Sequence, residues 1–272
     1  MIETASASFW HKLHARWQKT GSLLCVGLDS DIRRLPDCVM DEELPMWEFN
    51  RFVIESTLPY TCCYKPNLAF YLADGIRGIR SLIRTMRFIP DDVPVILDCK
   101  VGDIGSTMDG YMRGLFDKLE ADAITINPLM GSDVLEPLLK REKAFAFALT
   151  LTSNPSASEF FKDKGMDEAV AKWMEQYPVE KVGAVIGATQ SEELKRMRQL
   201  MPERLFLIPG IGAQGGDLEA VLRSAAAPLA HPRLLINSSR NIIFASSQPD
   251  YARAARMAAR ELHLEIQKIL DR

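Results

Sequence analysis

No stretch of the sequence approaches the roughly 18 consecutive apolar residues of a membrane-spanning helix. Met1 to Thr20 also lacks an apolar core of signal-peptide length, so a cytoplasmic location is expected, with no membrane partner. Cysteine is sparse: Cys25, Cys38, Cys62, Cys63 and Cys99 form an odd set without a C-x-x-C pair, which fits a reduced, intracellular chain. Histidine is scarcer still. His11, His14, His231 and His263 lie at the two ends of the chain and never fall into H-E-x-x-H or a related spacing, so no metal is expected. His11 and His14, three apart, read as a surface helix face. Nor is charge of one sign in excess. The 33 Lys and Arg against 36 Asp and Glu leave a formal net charge of −3, which gives no electrostatic case for nucleic acid.

What remains is an ordinary globular composition, 47% hydrophobic and 25% charged over 272 residues. It excludes disorder, collagen, coiled coil and a disulfide-stapled miniprotein. Eight apolar runs punctuate the chain: Ser22–Asp29, Cys62–Asn67, Val93–Lys100, Ala123–Pro128, Ala144–Thr152, Val182–Thr189, Leu205–Gly210 and Leu234–Arg240. Short, near-continuous apolar runs are the mark of parallel strands buried on both faces. The stretches between them read as helices. Ser191–Met201 opens on Ser191 as N-cap with an acidic first turn and a basic later one, and Ser132–Lys140 follows the same plan. Asn154–Pro178 is longer and should carry an extra helix, and the tail after Pro249 reads as a closing amphipathic helix. Eight alternating β and α units predict a single-domain α/β fold over residues 1–272, a (β/α)₈ TIM barrel with an N-terminal and a C-terminal helix.

Such barrels carry their chemistry at the C-terminal ends of the strands. The third run ends in L-D-C-K-V-G-D. Residues two apart share a strand face, so Ile96, Asp98 and Lys100 point one way, and Asp103 follows in the loop. The first run ends in Asp29 and the second carries Lys65. A strand-end ion pair could merely cap a barrel, but buried pairs are a poor source of stability. Five such charges at one mouth point to a site. After the seventh and eighth runs come G-I-G-A-Q-G-G-D (Gly210–Asp217) and S-S-R-N (Ser238–Asn241), where this barrel type cradles phosphate. Arg240 can bind it in bidentate fashion. Gly210, Gly212 and Gly215 also spell G-x-G-x-x-G, yet they follow the seventh run rather than the first, against a dinucleotide fold. Residues and spacing alone thus describe a barrel that binds a phosphorylated small molecule beneath a Lys/Asp cluster.

At Asp98-x-Lys100-x-x-Asp103 the sequence resembles the orotidine 5′-phosphate decarboxylase family, over nearly the whole chain. GLDSD, YKPNLAFY, LDCKVGDIGST, LTSNPS, PGIGAQGGD and SSRNI occur in the family's order, and KPN and SSRN resemble its longer bacterial (type 2) branch. The resemblance implies conversion of orotidine 5′-phosphate to UMP and CO₂, the last step of de novo pyrimidine synthesis, without cofactor or metal. It implies Lys100 as proton donor to C6 and Asp98 near the departing carboxylate. Lys65 and Asp103 would complete a Lys-Asp-Lys-Asp array. In a homodimer with shared active sites, Asp103 and Thr107 would reach the neighbour's ribose. Asp29 would bind a ribose hydroxyl, Ser153 the pyrimidine edge, and Gln214 and Arg240 the phosphate. Ser239 departs from the pattern, standing where a Gly commonly precedes the phosphate Arg. A metal-assisted phosphosugar decarboxylase or aldol synthase shares D-x-K-x-x-D but would need a carboxylate set for Mg²⁺ where Lys65 stands. A catalytically silent nucleotide-binding barrel would need no Lys/Asp array.

Overall fold

A computed structural model describes residues 7–187, 191–210, 218–226 and 233–271. All eight apolar runs contain a strand: β1 (Leu24–Leu28), β2 (Cys63–Pro66), β3 (Ile96–Val101), β4 (Ala123–Ile126), β5 (Phe145–Leu151), β6 (Val182–Ile186), β7 (Phe206–Pro209) and β8 (Leu234–Ser238). They pair in parallel in the order β2-β1-β8-β7-β6-β5-β4-β3. Single bridges from Tyr64 to Val95 and from Asn67 to Asp98 bring β2 against β3 and close the ring. The fold is a single-domain (β/α)₈ barrel.

The helices are α1 (Phe9–Thr20), α2 (Pro45–Thr57), α3 (Leu68–Ala73), α4 (Gly75–Phe88), α5 (Gly105–Met112) and α6 (Glu136–Leu139). Then come α7 (Met166–Met174), α8 (Ser191–Leu200), α9 (Leu218–Ala225), α10 (Arg240–Ile243) and α11 (Tyr251–Leu270). Helix α1 is capped by Ser8, whose hydroxyl accepts from the His11 amide, and stops at Gly21 in the left-handed region.

Strand alternation divides the core in two. Cys25, Cys63, Ile96, Ala123, Phe145, Phe147, Val185, Leu207 and Leu235 come from all eight strands and form one cluster with Phe9, Trp10 and Leu13 of α1. Their alternates, such as Val26, Tyr64, Leu97, Ile124 and Ile236, pack outward in a second cluster that includes residues of the surrounding helices. The first cluster is therefore the barrel interior, and α1 plugs its lower end. Counting two residues further along from that apolar layer reaches Gly27, Lys65, Asp98, Thr125 and Asn237 on β1, β2, β3, β4 and β8, and Leu149, Gly187 and Pro209 on β5, at the end of β6 and on β7. The next interior layer is therefore polar on the side formed by β8 and β2 to β4.

Three expectations need correction. Residues 132–140 do not form one helix capped by Ser132: a 3₁₀ segment covers Pro128–Val134 and only Glu136–Leu139 is α-helical. The Gly131 backbone is non-helical, and the Ser132 hydroxyl bonds Tyr177 (2.8 Å) and accepts from Trp173 (3.3 Å), so it is not available as a cap. The segment after β5 adds only a 3₁₀ turn, Pro155–Glu159, because α7 is the crossover helix itself. The last run stops being strand at Ser238, and Arg240 opens α10. Helix α8 begins at Ser191, but the preceding residue, which decides its cap, lies outside the described residues.

Candidate active site

Asp98 is the hub of the polar layer. One carboxylate oxygen accepts from Lys65 Nζ at 2.9 Å; the other accepts from Lys100 Nζ at 2.6 Å and from the Thr125 hydroxyl at 2.9 Å. Lys65 reaches in from β2 and is almost wholly buried, with Asp29 3.8 Å away on its other side. Lys100 is about half exposed, its ammonium at the rim of the mouth. Burial alone would raise the Asp98 carboxyl. The two lysines outweigh that and hold it well below the usual carboxylate range. Burial likewise pulls the Lys65 ammonium down, and Asp98 and Asp29 reverse this to leave it above the ordinary lysine value.

Simple alternation explains Asp98 but not how Lys100 arrives. β3 and β4 pair in register at Ile96–Ala123 and Leu97–Ile124, then resume at Val101–Ile126, so β3 bulges between. Lys100 sits in that bulge at φ 48°, a left-handed conformation rare outside glycine. Holding it costs of order 1–2 kcal/mol. Thr125 stabilises the bulge: its hydroxyl oxygen accepts from the Cys99 amide (3.0 Å) and the Lys100 amide (2.9 Å) while donating to Asp98. Thr125 thus fixes both charged residues at once. Sequence reading passed over it, although a lone hydroxyl in the otherwise apolar A-I-T-I was a signal.

Asp29 lies just past β1, its Oδ1 buried and without a hydrogen-bond partner. The strand end behind it is fixed by a buried network. Ser30 donates to Asn50 (2.5 Å), Asn50 donates to Tyr71 and Thr85 (2.9 Å each), and Tyr71 donates to the Leu28 carbonyl (3.2 Å).

The remaining candidates are less tightly gathered. Asp103 follows β3, where its carboxylate accepts from the Ile104 amide at 2.8 Å and makes no ion pair among the described residues. Thr107 is exposed in the first turn of α5. Ser153 follows β5 and packs on Gly187 at the end of β6, where any added Cβ would meet the Ser153 amide nitrogen at 2.6 Å. Gly210 closes β7 at φ 91°, a turn suited to glycine. Gln214 lies outside the described residues, as do Gly212 and Gly215. Arg240, exposed, opens α10 beyond β8. Cys62 and Cys63 are buried, and burial pushes both thiols up, so they pack rather than react.

Comparison with known proteins gives a consistent result. A model of the orotidine 5′-phosphate decarboxylase / HUMPS family matches residues 22–256. An orotidine 5′-phosphate decarboxylase of Thermomicrobium roseum is 42% identical, covering 96% of each chain. One from Halorubrum lacusprofundi is 43% identical, covering 94% of this chain and 97% of its own. Among solved structures, Leishmania donovani OMP decarboxylase superposes with a TM-score of 0.82 at 36% identity, covering 96% of this chain and 98% of its own. Leishmania donovani UMP synthase gives 0.84 at 38% identity, with 97% of this chain matching 56% of that longer one.

Proposed function

We propose that this chain, which belongs to the orotidine 5′-phosphate decarboxylase / HUMPS family, converts orotidine 5′-phosphate to UMP and CO₂ as the closing step of UMP synthesis in the cytoplasm. One observation carries the reading. Asp98 is clamped between Lys65 and Lys100 at the barrel mouth, with nitrogen–oxygen distances of 2.9 and 2.6 Å.

Loss of CO₂ leaves an electron pair and negative charge on the ring carbon C6. A cation fixed beside that carbon is worth more in the transition state than in the ground state. Lys100 supplies that field and then its proton, which forms the C6–H bond of UMP. Asp98 aims Lys100 and lies near the departing carboxylate. Lys65 and Asp103 complete the array. Asp29, whose buried Oδ1 accepts no hydrogen bond among the described residues, takes a ribose hydroxyl; Ser153 takes the pyrimidine edge; Gln214 and Arg240 take the phosphate. No metal or cofactor enters the reaction. Lys65 stands between the Asp29 and Asp98 carboxylates, where a Mg²⁺-assisted relative would need ligands free of an ammonium.

The working unit is a homodimer in which Asp103 and Thr107 serve the neighbour's site. Support comes from the rim over three adjacent strands: Leu72, Ile76, Ile104, Tyr111, Leu129 and Met130 are all exposed after β2, β3 and β4. Exposed apolar side chains on the segments that follow three adjacent strands suit a two-fold contact. Asp103, without an ion pair among the described residues, is available to a partner.

Purified protein mixed with orotidine 5′-phosphate in EDTA should lower the absorbance on the long-wavelength side of the pyrimidine band as the C6 carboxylate is lost and UMP forms. Activity lost in EDTA and restored by Mg²⁺ would transfer the chain to the metal-assisted reading.

A further inference from the structure

We propose that Asn237 and Ser239 form a neutral hydrogen-bonding shelf that holds the sugar–phosphate end of the substrate, between the ribose and phosphate contacts. This rests on the proposed decarboxylase reading and adds two residues to it.

Asn237 is the penultimate residue of β8, paired with Cys25 of β1 and Pro209 of β7. Leu235 faces the barrel interior, so Asn237, two residues on, faces the mouth from the same side. It is only 6% exposed, and its Oδ1 is buried without a hydrogen-bond partner among the described residues. The Ser239 hydroxyl is buried and unpartnered as well. Gly27 shows where that hydroxyl points. A Cβ on Gly27 would lie 1.8 Å from Ser239 Oγ and 3.3 Å from Asn237 Oδ1. The serine therefore crosses from β8 over the inner face of β1, into space that exists because residue 27 has no side chain. The absence of a glycine before Arg240 is offset by a glycine on the neighbouring strand.

Asp29 lies two residues beyond Gly27 on the same face, and its buried Oδ1 accepts no hydrogen bond among the described residues, with only the Lys65 ammonium near it at 3.8 Å. A buried oxygen left without a hydrogen bond is costly, and apolar residues would fill the same volume without that cost. Two such oxygens on Asn237 and Ser239, beside the Asp29 carboxylate on the adjacent strand, mark a surface made to meet a polar ligand. Its chemistry is specific. Asn237 offers two N–H donors and an acceptor, and Ser239 one hydroxyl, all neutral. That set suits a group presenting hydroxyl and ester oxygens together, which is the ribose 5′-phosphate rather than the ring. Flanked by Asp29 on one strand and Arg240 on the next residue, the shelf occupies the stretch that joins ribose to phosphate.

The test is calorimetric binding of UMP and uridine, with steady-state kinetics on orotidine 5′-phosphate, for Ser239→Ala, Asn237→Ala and Asn237→Asp. Each alanine variant should weaken UMP about tenfold, the size of one hydrogen bond to a charged group, and raise KM more than it lowers kcat. Asn237→Asp keeps the shape but adds a negative charge, and should cost UMP more than uridine. UMP affinity and KM within about twofold of wild type in both alanine variants would overturn the proposal. So would losses equal for uridine and UMP, which would set the shelf against the nucleoside alone. Should Asn237→Ala fold poorly by thermal melt, Ser239→Ala, which removes one oxygen, decides the matter. Wild-type protein that neither binds UMP nor turns over substrate would instead overturn the decarboxylase reading itself.

Discussion

Lys100 combines three features that rarely coincide: a strand-end position, a left-handed backbone and an ammonium bonded to a buried carboxylate. Because its side chain is half exposed, Lys100→Ala should leave the fold intact and, on the proposed mechanism, remove both field and proton donor. We expect turnover to drop by several powers of ten, each about 1.4 kcal/mol of barrel-mouth stabilisation, with UMP still bound. Purified variant assayed by single turnover checks this, and a loss under tenfold would remove Lys100 from the centre of the reaction. Asp98 makes a pH prediction. Its folded carboxyl lies well below the ordinary value, so its contribution is present above about pH 4 and is lost as pH falls toward the folded value. Lys65, shifted upward, contributes fully below the ordinary lysine value and loses that contribution only in strong base. Urea denaturation from pH 7 down to about 2 should therefore fall more steeply for wild type than for Asp98→Asn. Parallel curves would mean that the ion pairs do not stabilise the fold.

Among elements, the two ends of the barrel divide labour. The upper end holds unpartnered oxygens and a bulge; the lower end is stitched. Three buried arginines there donate mainly to backbone carbonyls. Arg16 of α1 reaches the carbonyls of Leu58 (2.5 Å) and Thr61 (3.1 Å), just before β2. Arg204 reaches Met174, Tyr177, Pro178 and Val182, tying α7 to the start of β6. Arg198 of α8 reaches Ala225, Met201, Arg204 and Arg233, gathering the starts of β7 and β8. A planar five-donor fork satisfies loop carbonyls that no strand or helix can. Replacing Arg198 with Met should leave several of them unmet and cost about 3 kcal/mol. Calorimetry should then find Tm lower by roughly 5–10 °C, with kcat for the folded enzyme unaltered. A Tm within a degree of wild type would show that water replaces the arginine without cost.

For the whole molecule, the open question posed by Asp103 is which chain it serves. Lys100→Ala and Asp103→Ala, each nearly inactive, can be mixed through a dissociation step. If sites are shared across a two-fold axis, a hybrid dimer has one doubly damaged site and one intact site. With random pairing about half of the dimers are hybrids, so activity should recover to about a quarter of wild type. A mixture as inactive as its parents, after demonstrated subunit exchange, would assign Asp103 to its own chain.

Much of this was legible in the linear chain. Strand positions were readable because parallel strands covered on both faces demand short apolar runs, and each of the eight expected runs contains one. Lys65, Asp98, Lys100 and Asp29 were readable because charge at the end of such a run has few structural uses. Residues 132–140 were misread because capping patterns are local, whereas the Ser132 hydroxyl is claimed by Trp173 and Tyr177 about 40 residues away. Thr125, the bulge that turns Lys100, and the fit of Ser239 over Gly27 were invisible for the same reason. Each depends on which strand lies beside which, and on a register that no single segment carries. Periodicity and residue type therefore determined the barrel and its charged mouth, since burial and charge act residue by residue. Only the closed sheet decided how those charges are aimed, because hydrogen bonds and steric fit act between residues that the chain keeps far apart.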